Sequence, residues 1–217
     1  MDGQSLTDQY ILSIDPGKSS GCALLAYNDQ EVWLEGSWQF KGGVKGLLGW
    51  LNSHTYEYIE GAEVFTLSNE RKHGKPLENS HIIGRSYSDW RDRVMIISEK
   101  FTARNTQGFS YTTDSLEPLR GEGALIALGL MPDYTPNEKR WRDPKLQYLV
   151  GGKDKADKKK RLHRFLKESG FYVAPSAVDS PDADDVRSSI GHALAYIQRE
   201  VKHRGVHEMV TKWIEEN

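Results

Sequence analysis

The sequence predicts an α/β fold in which helices flank one mixed sheet, and three features support this prediction. Short apolar runs at 10–14 and 22–27 are separated by Pro16, Gly17, Ser19, Ser20 and Gly21, which predicts two core strands joined by a tight connection. Residues 94–97 are four consecutive apolar residues, typical of a strand buried on both faces. Helical spacing of apolar residues dominates the second half. A chain of 217 residues favours a single domain over 1–217.

The other elements follow from periodicity and turn residues. A third antiparallel strand is predicted over 31–40, with Val32, Leu34 and Trp38 on one face and Trp33 on the other. The next predicted elements are a helix over about 43–55, a possible strand at 62–67 and helices over 80–93 and 114–130. They are followed by an edge strand within 134–141 and a helix over 156–169 that ends at Gly170. The last two predicted elements are a helix after the acids of 179–185 and a C-terminal helical extension over about 201–217.

Carboxylates stand at the ends of several of these elements. Asp15 ends the first strand, Glu99 follows the central one, and Asp182 and Asp185 precede an amphipathic helix. A carboxylate leaving a buried strand is costly unless it meets hydrogen-bond donors or a cation. The alternatives are an Asp-Pro-Gly turn at Asp15 and ordinary helix capping by the later acids. Capping explains Asp182 and Asp185 together less well, because a spacing of three places both on one helical face.

Acid-only clusters select hard divalent cations such as Mg²⁺ or Mn²⁺. Two such ions about 4 Å apart can activate water and stabilise the leaving oxygen in phosphodiester hydrolysis. His192 lies seven residues after Asp185 and on the same helical face, but a histidine among apolar helix residues is more often a packing residue, and we prefer that interpretation.

Charge, cysteine content and hydropathy indicate the kind of partner and the cellular compartment to expect. Net charge is −2, yet residues 137–167 hold twelve Lys and Arg against four Asp and Glu, which suits a surface that grips a polyanion or, alternatively, a solvated helix face. The single cysteine, Cys22, excludes an internal disulfide. The N-terminal residues show no signal pattern and no apolar run is long enough to span a membrane, so we expect a cytoplasmic protein.

Three segments resemble the RuvC-like Holliday junction resolvases of the ribonuclease H-like superfamily, especially the bacteriophage versions. Residues 11–17 with Gly21 look like the opening strand of that family, residues 94–101 look like its central strand, and 182–185 with the following apolar helix look like its closing motif. The resemblance implies a mixed five-stranded sheet. It also implies a catalytic, metal-binding set made of Asp15, Glu99, Asp182 and Asp185.

The same resemblance implies further roles. Residues 114–130 look like the dimerisation helix, with Leu119, Gly123, Ala127 and Leu130 on its packing side. The segment 134–158 is similar to the basic region that contacts the junction, and the residues expected to bind DNA are Lys145, Lys153, Lys155 and Lys158. Phe101 is the nearest aromatic to the position of the family's wedge, one residue short of the pattern, and the alternative is a core position.

Two alternatives concern the acids. Residues 52–92 form a longer insertion than the family pattern predicts, so Glu63 and Glu70 are rival second acids, and Asp184 is a rival to Asp182.

The expected function is therefore a homodimeric endonuclease that uses Mg²⁺, replaceable by Mn²⁺, to cut branched DNA, chiefly four-way junctions, in the host cytoplasm if it is phage-encoded. A related nuclease acting on forks, flaps or RNA–DNA hybrids and a non-cleaving binder of branched DNA are the alternatives. A sugar-kinase or actin-like ATPase also opens with an acid and glycines, but no internal repeat supports it.

Overall fold

The computed structural model describes residues 8–46, 54–59, 62–67, 94–98, 113–127, 149–171 and 184–217. It contains a four-stranded mixed sheet flanked by helices, which confirms the predicted α/β class. The helix predicted over 80–93 and the edge strand predicted within 134–141 lie outside these residues. Within them no fifth strand joins the sheet. None of the helices described is long and apolar enough to cross a membrane.

The sheet is built from two hairpins and one crossover. Its strands are β1 (Gln9–Asp15), β2 (Ser19–Tyr27), β3 (Val32–Lys41) and β6 (Val94–Ser98), in the spatial order β3-β2-β1-β6. β1 and β2 are antiparallel, as are β2 and β3, whereas β6 runs parallel to β1. The Asp15 end of β1 therefore lies at the same edge of the sheet as the Ser98 end of β6, because Ile14 pairs with Ser98.

Both faces of the sheet are buried, as the unbroken apolar runs predict. Ile11, Leu25 and Ile97 share one face and belong to the main core cluster. We call this side of the sheet the helix face, since the helices that complete that cluster pack on it. The opposite face carries the alternate residues of the same strands, such as Ile14 and Leu24, which are also buried.

An irregularity in β3 corrects one prediction. Leu24 pairs with Gly36 and Leu25 pairs with Leu34, so Glu35 is an extra residue in β3. A bulge of this kind reverses the alternation of the side chains that follow it. Trp38 therefore lies on the opposite face, paired with Cys22, and does not share a face with Leu34 as the uninterrupted period predicted.

The helices on the helix face are α2 (Lys155–Glu168), α3 (Asp184–Tyr196) and α4 (Arg204–Glu216); α1 (Thr113–Ala127) precedes them in the chain. These bounds confirm the predicted helices over 114–130 and 156–169, the helix after the acids, and the C-terminal helical extension. α3 packs directly on β1 and β2. A π-helical turn, Ile197–Val201, follows α3 and leads to α4.

α4 is held at both ends by polar contacts. His203 caps it, since its Nδ1 accepts from the backbone N of Val206 at 3.2 Å and its Nε2 donates to the backbone O of Asn28 at 2.7 Å. At the other end, Trp213 Nε1 donates to Glu168 Oε2 at 2.6 Å. These bonds join α4 to the β2–β3 turn and to α2.

The segment between β3 and β6 differs from its prediction. Residues 43–46 are helical, but the predicted continuation to residue 55 is wrong because a strand, β4 (His54–Ile59), begins at His54. The aromatic and β-branched content of residues 55–58 favours a strand over a helix end. β4 pairs with β5 (Ala62–Leu67), which confirms the strand predicted at 62–67, in a separate two-stranded ladder.

Candidate active site

The backbones of Asp15 and Asp185 both lie next to Gly21, at the end of the sheet where β1 ends. In the register of the sheet, Asp15 of β1 pairs with Gly21 of β2, which in turn pairs with Gln39 of β3. Paired residues of neighbouring strands point to the same side, so this row faces the helices. The row lies where β1 ends, so Asp15 is the last residue of its strand, as the sequence predicted.

The first turn of α3 lies directly on Gly21. A Cβ atom built on Gly21 would overlap the carbonyl group of Asp185 and would lie 2.5 Å from the backbone N of Val186. No side chain fits there without moving the helix. The absence of a side chain at Gly21 therefore brings the backbone of Asp185 against the strand next to Asp15.

Ser189 fixes this contact. Its hydroxyl lies within 2.7 Å of the backbone O of Gly21 and 3.0 Å of the backbone O of Asp185, one helical turn earlier, and it is fully buried. A buried hydrogen bond from a helix to a strand carbonyl resists sliding of one element along the other. Ser189 thus sets the height of Asp185 above the sheet.

Gln39 approaches the carboxylate of Asp185 from the other side. Its Nε2 donates to Ser19 Oγ at 2.9 Å and lies 3.5 Å from Asp185 Oδ2. The second contact is long for a hydrogen bond. It nevertheless directs an amide donor at one named oxygen of the acid.

Burial and the negative charge of Asp15 both affect the pKa of Cys22, the neighbour of Gly21 in β2. Burial raises the pKa of the Cys22 thiol well above its usual range, and the nearby negative charge of Asp15 raises that pKa further. The thiol is fully buried and therefore stays protonated. Cys22 packs on the opposite face of the sheet, where it pairs with Ile14.

Two of the four predicted acids lie outside the described residues. Glu99 follows Ser98, the last residue of β6, and Asp182 precedes Asp184, the first residue of α3. The structure therefore brings Asp15 and Asp185 to one site and leaves the remaining pair as predictions. Among the rivals, Glu63 lies in β5 of the separate ladder, Asp184 begins α3, and Glu70 is not described.

The described donors suit a hard cation. Mg²⁺ is usually held by one or two carboxylates together with water and substrate phosphates, and Asp15 and Asp185 supply carboxylate oxygens at a shared edge. No group of three or more metal-ligating side chains is found in the described part of the chain, which contains only these two of the four predicted ligands. Asp15 and Asp185 can therefore supply part of the ligand set of such a cation.

The predicted DNA-binding residues are partly described. Lys153 is exposed at the start of α2, where Asp154 caps the helix, and Lys158 is half-buried against Gly152. Lys155 begins α2, whereas Lys145 and Phe101 lie outside the described residues. Arg161 is turned inward, because its guanidinium stacks on Trp213 and donates to the backbone O of Val150.

The remaining sequence predictions concern α1 and His192. In α1, Leu119 and Ile126 are 49% and 48% exposed, and a Cβ at Gly123 would meet nothing within 4 Å. The predicted packing side of α1 is therefore open at the positions that are described. His192 is buried in α3, where the preferred interpretation placed it as a packing residue.

Sequence reasoning missed Ser189 and Gln39. Ser189 could have been found as a polar residue at i+4 from Asp185 within the inward stripe of α3. Gln39 could not, because its orientation depends on the bulge at Glu35.

Comparison of the chain with protein-family models, with curated proteins and with solved structures found no match.

Proposed function

We propose that the protein is a metal-dependent, structure-selective endonuclease that resolves Holliday junctions and other branched DNA by phosphodiester hydrolysis. The observation that carries the proposal is the close approach at Gly21, which places the backbones of Asp15 and Asp185 next to the same residue although they are 170 residues apart in the chain. Two carboxylates brought together at a sheet edge repel each other unless a cation lies between them.

The four acids would act as ligands of the cation. Asp15 and Asp185, completed by Glu99 and Asp182, would hold Mg²⁺ or Mn²⁺, which supplies water activation and stabilisation of the leaving oxygen. The register of the sheet sets the backbone of Asp15, and the Ser189 hydroxyl, shared between the carbonyl groups of Gly21 and Asp185, holds the backbone of Asp185. The backbone positions of both acids would thus be set before a phosphodiester enters, as preorganised catalysis requires.

The start of α2 and the segment before it would bind the DNA backbone. Lys153 is exposed there, and Lys145, Lys155 and Lys158 add positive charge to the same stretch of the sequence. Contacts of lysine with phosphate position a protein without reading sequence, so recognition would be of DNA shape. Phe101, next but one after Glu99, would lie close to the scissile strand.

Two copies of the chain would act together. The exposed apolar residues of α1, Leu119 and Ile126, favour a helix face that a second copy covers. A two-fold dimer carries two catalytic sites, which matches the near two-fold symmetry of a four-way junction. Paired nicks in opposing strands follow from that geometry.

Cleavage assays on a panel of DNA substrates test the proposal. Four-way junction, fork, flap, RNA–DNA hybrid and linear duplex are each incubated with Mg²⁺, Mn²⁺ or Ca²⁺. We expect paired nicks in the junction with Mg²⁺ or Mn²⁺ and binding without cleavage with Ca²⁺. Preferred cleavage of forks, flaps or the hybrid would assign a different nuclease, and junction binding without cleavage under all conditions would assign a binding protein.

Site variants locate the activity. Asp15→Asn and Asp185→Asn should abolish nicking while junction binding persists, because the lysines lie mainly elsewhere. Asp29→Asn is the matched control, since Asp29 is exposed in the turn after β2, at the opposite end of the sheet. If Asp15→Asn nicks at the wild-type rate, the catalytic site does not lie at this edge of the sheet.

A further inference from the structure

Gln39 reaches the candidate active site only because β3 is irregular. The extra residue at Glu35 shifts the pairing of β3, so Gln39 pairs with Gly21 and faces the helices. In an uninterrupted strand the residue at this position would face the other way. Bulges are frequent beside active sites, where they redirect one side chain.

The amide of Gln39 is held between two oxygens. Its Nε2 carries two hydrogens, of which one serves Ser19 Oγ at 2.9 Å and the other is directed at Asp185 Oδ2, 3.5 Å away. The shorter bond restricts rotation of the amide. The donor therefore stays aimed at Oδ2, and the contact limits rotation of the Asp185 carboxylate about its Cβ–Cγ bond.

The chemistry of an amide suits this position. A lysine or arginine there would bring a positive charge that competes with a bound cation, and a carboxylate would add repulsion to an acidic site. Glutamine donates a hydrogen bond without changing the charge of the site. Residues that orient metal-binding carboxylates in this way are usual in metal sites of proteins.

We propose that Gln39 is a positioning residue that orients the carboxylate of Asp185 for binding a divalent cation. The proposal rests on the proposed function, because it takes Asp185 as a cation ligand. It adds a residue from a third strand to the site, so β1, β3 and α3 together define its geometry. Ser19 of β2 acts one step further out, by holding the Gln39 amide.

Gln39→Leu tests the proposal, because leucine keeps much of the bulk and removes the donor. We expect the Mg²⁺ concentration for half-maximal nicking to rise about tenfold, at the lower end of such effects because the contact is long. The rate at saturating Mg²⁺ should stay within about twofold of wild type, since excess cation restores occupancy. Ser19→Ala should raise the same concentration by about threefold, as expected for loss of one neutral hydrogen bond.

Direct Ca²⁺ binding, measured by titration calorimetry, supplies a readout that does not depend on cleavage. Gln39→Leu should weaken Ca²⁺ binding by about the same tenfold factor. Gln9→Leu is the matched control: it makes the same change in β1, at the exposed end that pairs with Tyr27, and should leave both quantities unchanged. Urea unfolding of each variant verifies that the protein tested is folded.

The outcomes separate this inference from the function on which it depends. If Asp15→Asn and Asp185→Asn lose nicking but Gln39→Leu keeps wild-type Mg²⁺ dependence and Ca²⁺ affinity, only the role of Gln39 is wrong. A lower rate at saturating Mg²⁺ with unchanged Ca²⁺ affinity would also overturn it. If the wild-type protein binds no divalent cation, both proposals fall.

Discussion

Gly21→Ala adds one methyl group between β2 and the first turn of α3. The new Cβ would lie 2.5 Å from the backbone N of Val186 and would overlap the Asp185 carbonyl, whereas ordinary contacts lie at 3.4–4 Å. The neighbours are backbone atoms, so no side-chain rotation relieves the overlap. The start of α3 must therefore move away from the sheet by about 1 Å.

Two energies combine in this variant. Overpacking of a tight contact costs about 1–3 kcal/mol. Stretching the bond between Ser189 and the Gly21 carbonyl costs about 1 kcal/mol more. The larger effect is on activity, since a displacement of about 1 Å at a catalytic group can lower the rate by about 100-fold. Activity should thus fall further than stability alone explains.

Ala23→Gly is the matched control for this experiment. Ala23 lies two residues further along β2, on the same face and fully buried, so the reverse substitution there costs about 1–2 kcal/mol without moving Asp185. Urea unfolding gives the stability of both variants, and nicking of a four-way junction is measured where each is folded. Wild-type nicking and Ca²⁺ binding by folded Gly21→Ala would refute the close-contact explanation.

Three further predictions concern the Ser189 contact and the two ends of α4. Ser189→Ala should cost about 1 kcal/mol in urea unfolding, because it removes the buried hydrogen bond from the Ser189 hydroxyl to the Gly21 carbonyl; an unchanged midpoint would contradict this. His203→Phe should lower the free energy of unfolding by about 1–2 kcal/mol, because it removes the cap of α4. A free energy of unfolding equal to that of the wild type would show that the cap does not stabilise the protein. Hydrogen bonds from Arg164 and Trp213 lower the pKa of Glu168, so its stabilising contribution is present above the usual glutamate pKa and lost as pH falls through the lowered value. The stability difference between wild type and Glu168→Gln should therefore shrink on acidification, and a constant difference would contradict it.

Local signals predicted most of the described sheet. The apolar runs and the turn at Pro16–Gly17 were enough for β1 and β2, and four consecutive apolar residues were enough for β6, because strands buried on both faces have few alternatives. The helices of the second half were equally clear from their period and from Gly170. In contrast, the start of β4 at His54 was missed, since its residues overlap the end of an apparent helical pattern.

The candidate site was predicted only in part. Asp15 and Asp185 were identified because carboxylates at element ends need partners, and that reasoning uses only residue type, spacing and the predicted element ends. The close contact between β2 and α3 depends on Gly21, which has no side chain, and on the hydroxyl of Ser189. The spacing of residues in the sequence could indicate each of these residues but not that they contact each other. The orientation of Gln39 depends on a bulge in β3. A bulge arises from the pairing of two strands and cannot be predicted from the sequence of one strand alone.

The most direct measurement is a crystal structure of the wild-type protein soaked in Mn²⁺, with the ions located by anomalous scattering. We expect Mn²⁺ at coordination distance, about 2.0–2.6 Å, from carboxylate oxygens of both Asp15 and Asp185, with Glu99 completing the site. Mn²⁺ bound elsewhere, or Glu99 on the far side of the molecule from Asp15 and Asp185, would contradict the proposed metal site and the nuclease activity inferred from it.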